Sequence, residues 1–433
     1  MKGAADNALG IYISVPFCRS KCTYCNFASG VYPAADHARY VERAIEDLSG
    51  AGTWAAALGV ELPRRVDTVY LGGGTPSLLE PELLARLFAA MRAEFDLDAG
   101  AEITMECAPG QLTGATLEAM AAAGVNRASL GVQSFVDSEA HASGRLHNRA
   151  TVETDLAQLR AAGIANLNVD LIAGLAGQTF ASWEESLEAL IGSGVPHASI
   201  YMLEIDGDSR LGREVLKGGS RYHAGLVPGD DAIARMYEQA IERLAQSGLQ
   251  QYEISNFARP GFESRHNLRY WQRRPYLGVG LDASSMLRCK PTFAAKEETR
   301  QKWDTRPLHG ADHSMHRNGP DDMLRATTTD DLKAYLAGAE MVETTWLTPA
   351  RQHEEAWFLG LRLNAGVNVV ALEREFGRAM VDPAVEIVAR LVSDGLLTFD
   401  GGRVRLTARG RLISNDVFQE FLEPEVAAAC HER

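Results

Sequence analysis

The order of segments predicts an α/β protein: a partial barrel of about six βα units, then a mostly helical, winged-helix-like C-terminal domain. Two observations carry this. From residue 11 to about 257, short apolar strands alternate with stretches of helical length, the pattern of parallel βαβ units. About six units make a curved sheet, short of the eight that close a barrel. From about residue 328 the pattern turns helical, and it ends in two short strands around Asp400-Gly401-Gly402 followed by a helix.

Taken in order, "IYISV" (11–15) is a short apolar strand, and a cysteine-bearing loop follows it. A helical stretch runs around 36–49. "VDTVYL" (66–71) reads as a buried strand leading into the Gly-rich turn 72–74, and "PELLARLFAAMRAEF" (81–95) has helical periodicity. "AEITMEC" (101–107) is a strand, and "LTGATLEAMAAAG" (112–124) is a helix ending at Gly124. "RASLGVQ", "IANLNVDLI" and "HASIYML" are further strands. "DDAIARMYEQAIERLAQSG" (230–248) is a long amphipathic helix, with "YEISNF" as the strand after it. Residues 289–325 are polar and aperiodic and read as a loop or linker, with His309, His313 and His316 solvated in it. The chain thus divides into a partial barrel (1–257), a connecting segment (258–327) and a C-terminal domain (328–433).

Composition limits the function. The 433 residues are 46% hydrophobic with a net charge of −14, and the pI is near 5.3. Such a balance argues against nucleic acid or anionic lipid as the main partner, and it favours a packing or lid role for the winged-helix-like end over DNA binding. "MKGAADNALG" has one Lys and no apolar segment, so no signal peptide is expected. No stretch approaches the ~18 apolar residues of a membrane span. Cys107, Cys289 and Cys430 are far apart, so no disulfide framework is suggested, and a reducing cytoplasm fits.

Chemistry concentrates at the strand ends. Cys18, Cys22 and Cys25 have the spacing C-x3-C-x2-C. A zinc knuckle would need a fourth ligand, and Phe27 cannot serve while His37 lies in a predicted helix. Three thiolates on a [4Fe-4S] cube leave one iron open to a chelating ligand. "YLGGGTP" (70–76) is neither a P-loop nor G-x-G-x-x-G; it is a tight turn, or a place where backbone meets a ligand closely. Glu106, Gln133, Arg145 and Asp170 are polar residues in or near apolar segments. Asp170 inside "NVDLIAGL" must find a partner if buried. "RHNLRYW" (265–271) is either a helix start with packed aromatics or a face for a flat apolar ligand, with His266 as a metal ligand.

Together these motifs resemble the radical S-adenosylmethionine (SAM) superfamily, over nearly the whole chain. Within it they resemble the oxygen-independent coproporphyrinogen III oxidase-like branch, and there the heme chaperones called HemW. The resemblance implies a [4Fe-4S] cluster on Cys18, Cys22 and Cys25, with SAM on the open iron. It implies SAM contacts from Gly72, Gly73, Gly74 and Thr75, and from Tyr12, Tyr24, Glu106, Gln133, Arg145 and Asp170. Coproporphyrinogen dehydrogenases carry a fourth cysteine where Phe27 stands; the heme chaperones have phenylalanine. "HNLRYW" matches a signature associated with heme, which assigns heme to His266, Tyr270 and Trp271. "RLTARGRLISNDVF" matches the C-terminal domain of that branch. Asn26 stands where many members have Asp, and Ser284 where relatives commonly have histidine.

The resemblance therefore implies a heme carrier that binds heme, SAM and the cluster and delivers heme to an acceptor protein, as a monomer or homodimer. A flavodoxin- or ferredoxin-like electron donor is implied if SAM is cleaved. The alternative is a radical oxidoreductase acting on the propionate side chains of a porphyrinogen.

Overall fold

The computed structural model describes residues 7–290, 322–338 and 343–422. Its first half alternates as expected: β1 (Leu9–Val15), α1 (Ala34–Leu58), β2 (Arg65–Gly73), α2 (Pro81–Glu94), β3 (Asp96–Cys107), α3 (Gly114–Ala123), β4 (Arg127–Gln133), α4 (Asp137–Ala142), α5 (Arg149–Ala161), β5 (Asn166–Ala173), α6 (Phe180–Gly192), β6 (His197–Met202), α7 (Arg210–Leu216) and α8 (Asp230–Gln246). Strands β1 to β6 pair in parallel in chain order.

Period-2 alternation decides the faces. Ile11 and Ile13, Val69 and Leu71, Leu130 and Val132, and Leu167 and Val169 join the main core with Leu48, Leu87, Met120, Leu156 and Leu187 of the helices. The intervening positions include Ser129, Asn168, Asp170 and Ser199, which hydrogen-bond one another on the opposite face. Helix ends follow local chemistry. Thr113 caps α3 by accepting from the Thr116 amide, and Thr179 and Ser182 form a capping box on α6. Gly59 closes α1 at φ 72°, a conformation that suits glycine.

The chain then turns back. "YEISNF" is not one strand: β7 (Gln250–Gln251) and β8 (Asn256–Ala258) pair antiparallel, with β8 also antiparallel to β6. Residues 258–327, read from sequence as a connector, supply α9 (Arg265–Trp271), β9 (Tyr276–Gly280), β10 (Ser284–Arg288) and β11 (Met323–Thr327). Strand β9 pairs parallel with β1, and β10, β11 and β12 (Glu343–Leu347) extend the same sheet antiparallel. Short α10 (Leu332–Leu336) lies between the last two. His309, His313, His316 and Cys430 lie outside the described residues.

The C-terminal unit has its own core around Trp357, Val381, Val388 and Val404. It comprises α11 (Pro349–Leu361), β13 (Val367–Asn368), α12 (Val369–Phe376), α13 (Arg378–Ser393), β14 (Leu397–Asp400), β15 (Arg403–Leu406), α14 (Ala408–Leu412) and α15 (Ser414–Gln419). The hairpin turns at Asp400-Gly401-Gly402 as expected, and β13 adds a third strand. Among the described residues, no helix is long and apolar enough to cross a membrane.

Candidate functional site

A cavity of about 740 Å³ opens at the C-terminal ends of the barrel strands. The cysteine loop after β1 forms one wall. Its base is closed by the Cys18 amide donating to Gly30 (2.8 Å) and the Gly30 amide to Pro16 (2.9 Å). Its flank is held by the Thr23 amide on Ser143 (2.9 Å) and the Leu211 amide on Thr23 (2.7 Å). Lys21 Nζ donates to the carbonyls of Phe27 (2.6 Å) and Ser29 (2.9 Å). Cys22 is buried, while Cys18 and Cys25 are partly exposed. Thr75 reaches Cys18 Sγ at 3.9 Å and Arg145 Nη1 reaches Cys22 Sγ at 3.6 Å, so three loops converge on the thiols. Tyr24 and Phe27 also line the cavity, and Phe27 is 61% exposed.

Among the described residues, no three His, Cys, Asp or Glu side chains close round a single metal ion. A zinc knuckle needs such a set at bonding distance; a multi-iron cube takes thiolates at separate corners.

The glycine turn is built for close approach. The Gly74 amide donates to Val15 and the Thr75 amide to Phe17, both at 2.7 Å. A Cβ on Gly74 would lie 2.7 Å from the Phe17 carbonyl oxygen. Gly73 has φ 95°, and Gly72 would place a Cβ 2.9 Å from Glu106 Oε1. The glycines thus let β2 meet β1 and Glu106 before any ligand is considered.

Glu106 accepts from Tyr70 OH at 2.8 Å, and burial pushes its carboxyl up to about 7. Burial also raises Asp170, which Asn168 Nδ2 (2.7 Å) and Ser129 Oγ (3.3 Å) orient as donors. Asn168 Oδ1 lies 2.6 Å from His197 Nδ1, and His197 Nε2 lies 2.9 Å from Tyr252 OH. Since Asn168 Oδ1 can only accept, Nδ1 carries the proton. Asn168, His197 and Tyr252 were missed in the sequence, although Asn168 has the same alternate-position signature as Asp170. Gln133 sits at φ 71°, a left-handed conformation uncommon outside glycine.

Several buried polar atoms of the lining have no partner: Gln111 Oε1, Gln133 Oε1, Arg145 Nε and His147 Nε2. Buried polar groups normally bond something, so these residues fit a polar ligand lying beside the thiols.

The cavity does not gather every residue expected of the site. Tyr12 lies beneath it, with its ring 6.1 Å from Tyr70 and 6.4 Å from His266. His266 is fully buried. Its Nδ1 is 2.9 Å from Thr68 Oγ1 and its Nε2 2.9 Å from Tyr270 OH, so neither nitrogen is free to ligate iron here. Glu102 accepts from the Arg265 (3.1 Å) and His266 (3.0 Å) amides. Helix α9 therefore plugs the barrel interior away from the mouth. Ser284 bonds Thr327 at 3.1 Å in the β10–β11 pair and does not line the cavity.

Burial drives His266 from 6.5 down to about 3. The unfolded chain takes up the proton first, so the stability from neutral His266 is complete above pH 6.5 and lost as pH falls toward 3. Glu106 acts in the opposite sense between 4.5 and about 7. Thermal melts of His266→Gln between pH 6.5 and 4 should show a shallower acid-side loss than wild type; an unchanged slope would remove His266 as its source.

The family profile of the radical SAM superfamily matches residues 12–190, and that of the HemN C-terminal domain residues 347–413. The heme chaperone HemW of Lactococcus lactis is 31% identical over 415 residues, covering 96% of this chain and 97% of its own length. The chain belongs to the HemW family. The Bacillus subtilis heme chaperone HemW is 30% identical, covering 95% and 98% of the two chains. The mouse mitochondrial radical S-adenosyl methionine domain-containing protein 1 is also 30% identical, covering 99% and 90%. In fold, this HemW-family chain resembles coproporphyrinogen III oxidase (HemN) of Escherichia coli, with TM-score 0.74 and 22% identity over 96% and 90% of the chains. The family and the fold expected from the motifs are both borne out.

Proposed function

We propose that this protein is a heme chaperone that binds heme, SAM and a [4Fe-4S] cluster and passes heme to an acceptor protein, working in the cytoplasm as a monomer or homodimer. The observation that carries this is end-to-end identity of 30–31% with proteins named heme chaperone HemW. In this reading Cys18, Cys22 and Cys25 hold the cluster. Held there, the cluster would offer an open iron to chelate SAM, with an electron from a flavodoxin- or ferredoxin-like donor if SAM is cleaved.

The chain's own residues then have definite tasks. Gly72, Gly73, Gly74 and Thr75 offer close backbone approach. Arg145 pairs with a carboxylate, and Glu106, Asp170 and Gln133 accept from ammonium or hydroxyl donors, with Tyr24 as a wall. Tyr12 supports Glu106 through Tyr70. His266 holds the barrel interior with Tyr270 in this arrangement, and its ligation of heme iron would require breaking one of its two bonds, to Thr68 or to Tyr270.

The test is a heme titration of anaerobically reconstituted protein, followed at the Soret band. A saturable spectral change at one heme per chain is expected, and no change up to excess heme would sink the proposal.

A further inference from the structure

Arg362 is the residue following α11, where its carbonyl accepts from the Ile254 amide at 3.1 Å. That bond ties the C-terminal unit to the barrel, and Arg362 lines the same cavity as the cysteines, as do Leu412 and Ile413. Its guanidinium carbon lies 4.4 Å from the centroid of the Trp271 ring and 5.8 Å from that of Phe418. Its Nε is buried without a partner, as is the Trp271 indole N–H. Among the described residues no ion pair to Arg362 is formed; Glu253 and Glu204 are the carboxylates whose charge acts on it. Glu253 is itself buried and held toward its neutral form.

Arg362 is half-buried, and a guanidinium whose buried Nε lacks an acceptor is costly to leave unpaired. Aromatic faces hold a guanidinium by its flat sides and leave its N–H edge for an acceptor in its plane, and the planar fork matches a carboxylate. We propose that Arg362, shelved on Trp271, is the carboxylate-recognition residue of the cavity wall and grips a propionate of heme. This rests on the heme-chaperone reading above. It also gives the "HNLRYW" helix a route to the ligand that does not use His266: the helix presents Trp271, and Trp271 presents Arg362.

Two carboxylates could occupy this place, a propionate or that of SAM, and the experiment separates them. Full-length reconstituted protein is titrated with heme, with the iron protoporphyrin dimethyl ester, and with SAM, for wild type, Arg362→Gln and Arg362→Lys. Arg362→Gln should weaken heme binding about 10- to 100-fold, the range of a lost charge-assisted bond. Arg362→Lys, which keeps the charge but not the fork, should weaken it less and serves if Arg362→Gln folds poorly. The ester should bind wild type and variants alike, and SAM affinity should not move. Unchanged heme affinity in both variants, or an ester bound by wild type as tightly as heme, would overturn the assignment. A loss confined to SAM would overturn it in favour of the SAM carboxylate. If wild type binds no heme, the underlying reading falls with it, whereas heme binding that ignores Arg362 refutes this inference alone.

Discussion

Cys18→Ala, Cys22→Ala and Cys25→Ala are each expected to lose essentially all of the iron–sulfur absorbance and most of the about four irons carried by reconstituted wild type. The argument is one of ligand count. A cube held by three thiolates has none to spare, and the loop offers no fourth, because exposed Phe27 stands two residues after Cys25. The other described cysteines cannot substitute. Cys107 is on β3 with its Sγ on the Met105 carbonyl at 3.7 Å, and Cys289 follows β10, bonded to Asp322 outside the cavity lining; neither belongs to the loop after β1. Cys107→Ala and Cys289→Ala should therefore keep both iron and chromophore. Iron analysis and visible spectra of the five variants decide it. A requirement for Cys107, which lies at the cavity wall, would break the assignment of ligands.

Asp67→Asn should cost about 3–5 kcal/mol of stability, the range for breaking a buried ion pair from one side. Arg269 of α9 is fully buried and donates to Asp67, to the carbonyls of Ala8 and Pro275 at 2.8 Å each, and to Thr68 at 3.2 Å. It ties α9 to β1, β2 and the start of β9. Asparagine keeps the shape and removes the charge, leaving a guanidinium with no counter-ion in the interior. Arg274, which also pairs with Asp67 at 2.7 Å, is more exposed and loses less. Replacing both partners by apolar residues, Asp67→Leu with Arg269→Met, should recover much of the loss. Urea unfolding of single and double variants measures this; a single-variant loss under about 1 kcal/mol would show that the pair does not fasten α9.

The "HNLRYW" helix shows where sequence reading stops. A His beside two aromatics reads equally as a ligand face or as packing, because composition does not say which way a helix faces. Burial of His266 and its bonds to Thr68 and Tyr270 follow from contacts with β2, far away in sequence. The alternating strands were legible because buried parallel strands are short apolar runs set between helices, and Glu106 and Asp170 stood out as carboxylates in such runs. The helix expected at 36–49 runs to Leu58: Gly50 and Gly52 look like breakers, but buried Ala51 and Ala55 carry α1 through them. "YEISNF" has strand composition, yet its middle turns so that β8 can run antiparallel to β6. Arg362 carries no motif, and its place depends on α11 ending beside Trp271. His197 reads as an ordinary strand residue until β5 is set next to β6.

The most direct test of the central claim runs two assays on one sample. Reconstituted protein, loaded with heme and supplied with SAM and a reductant, is mixed with a heme-free acceptor, and heme transfer is followed spectroscopically. In parallel the same sample is given coproporphyrinogen III and its decarboxylation is measured. A heme chaperone transfers heme and leaves coproporphyrinogen unchanged. Coproporphyrinogen turnover without heme transfer would contradict the account and make the protein a radical oxidoreductase.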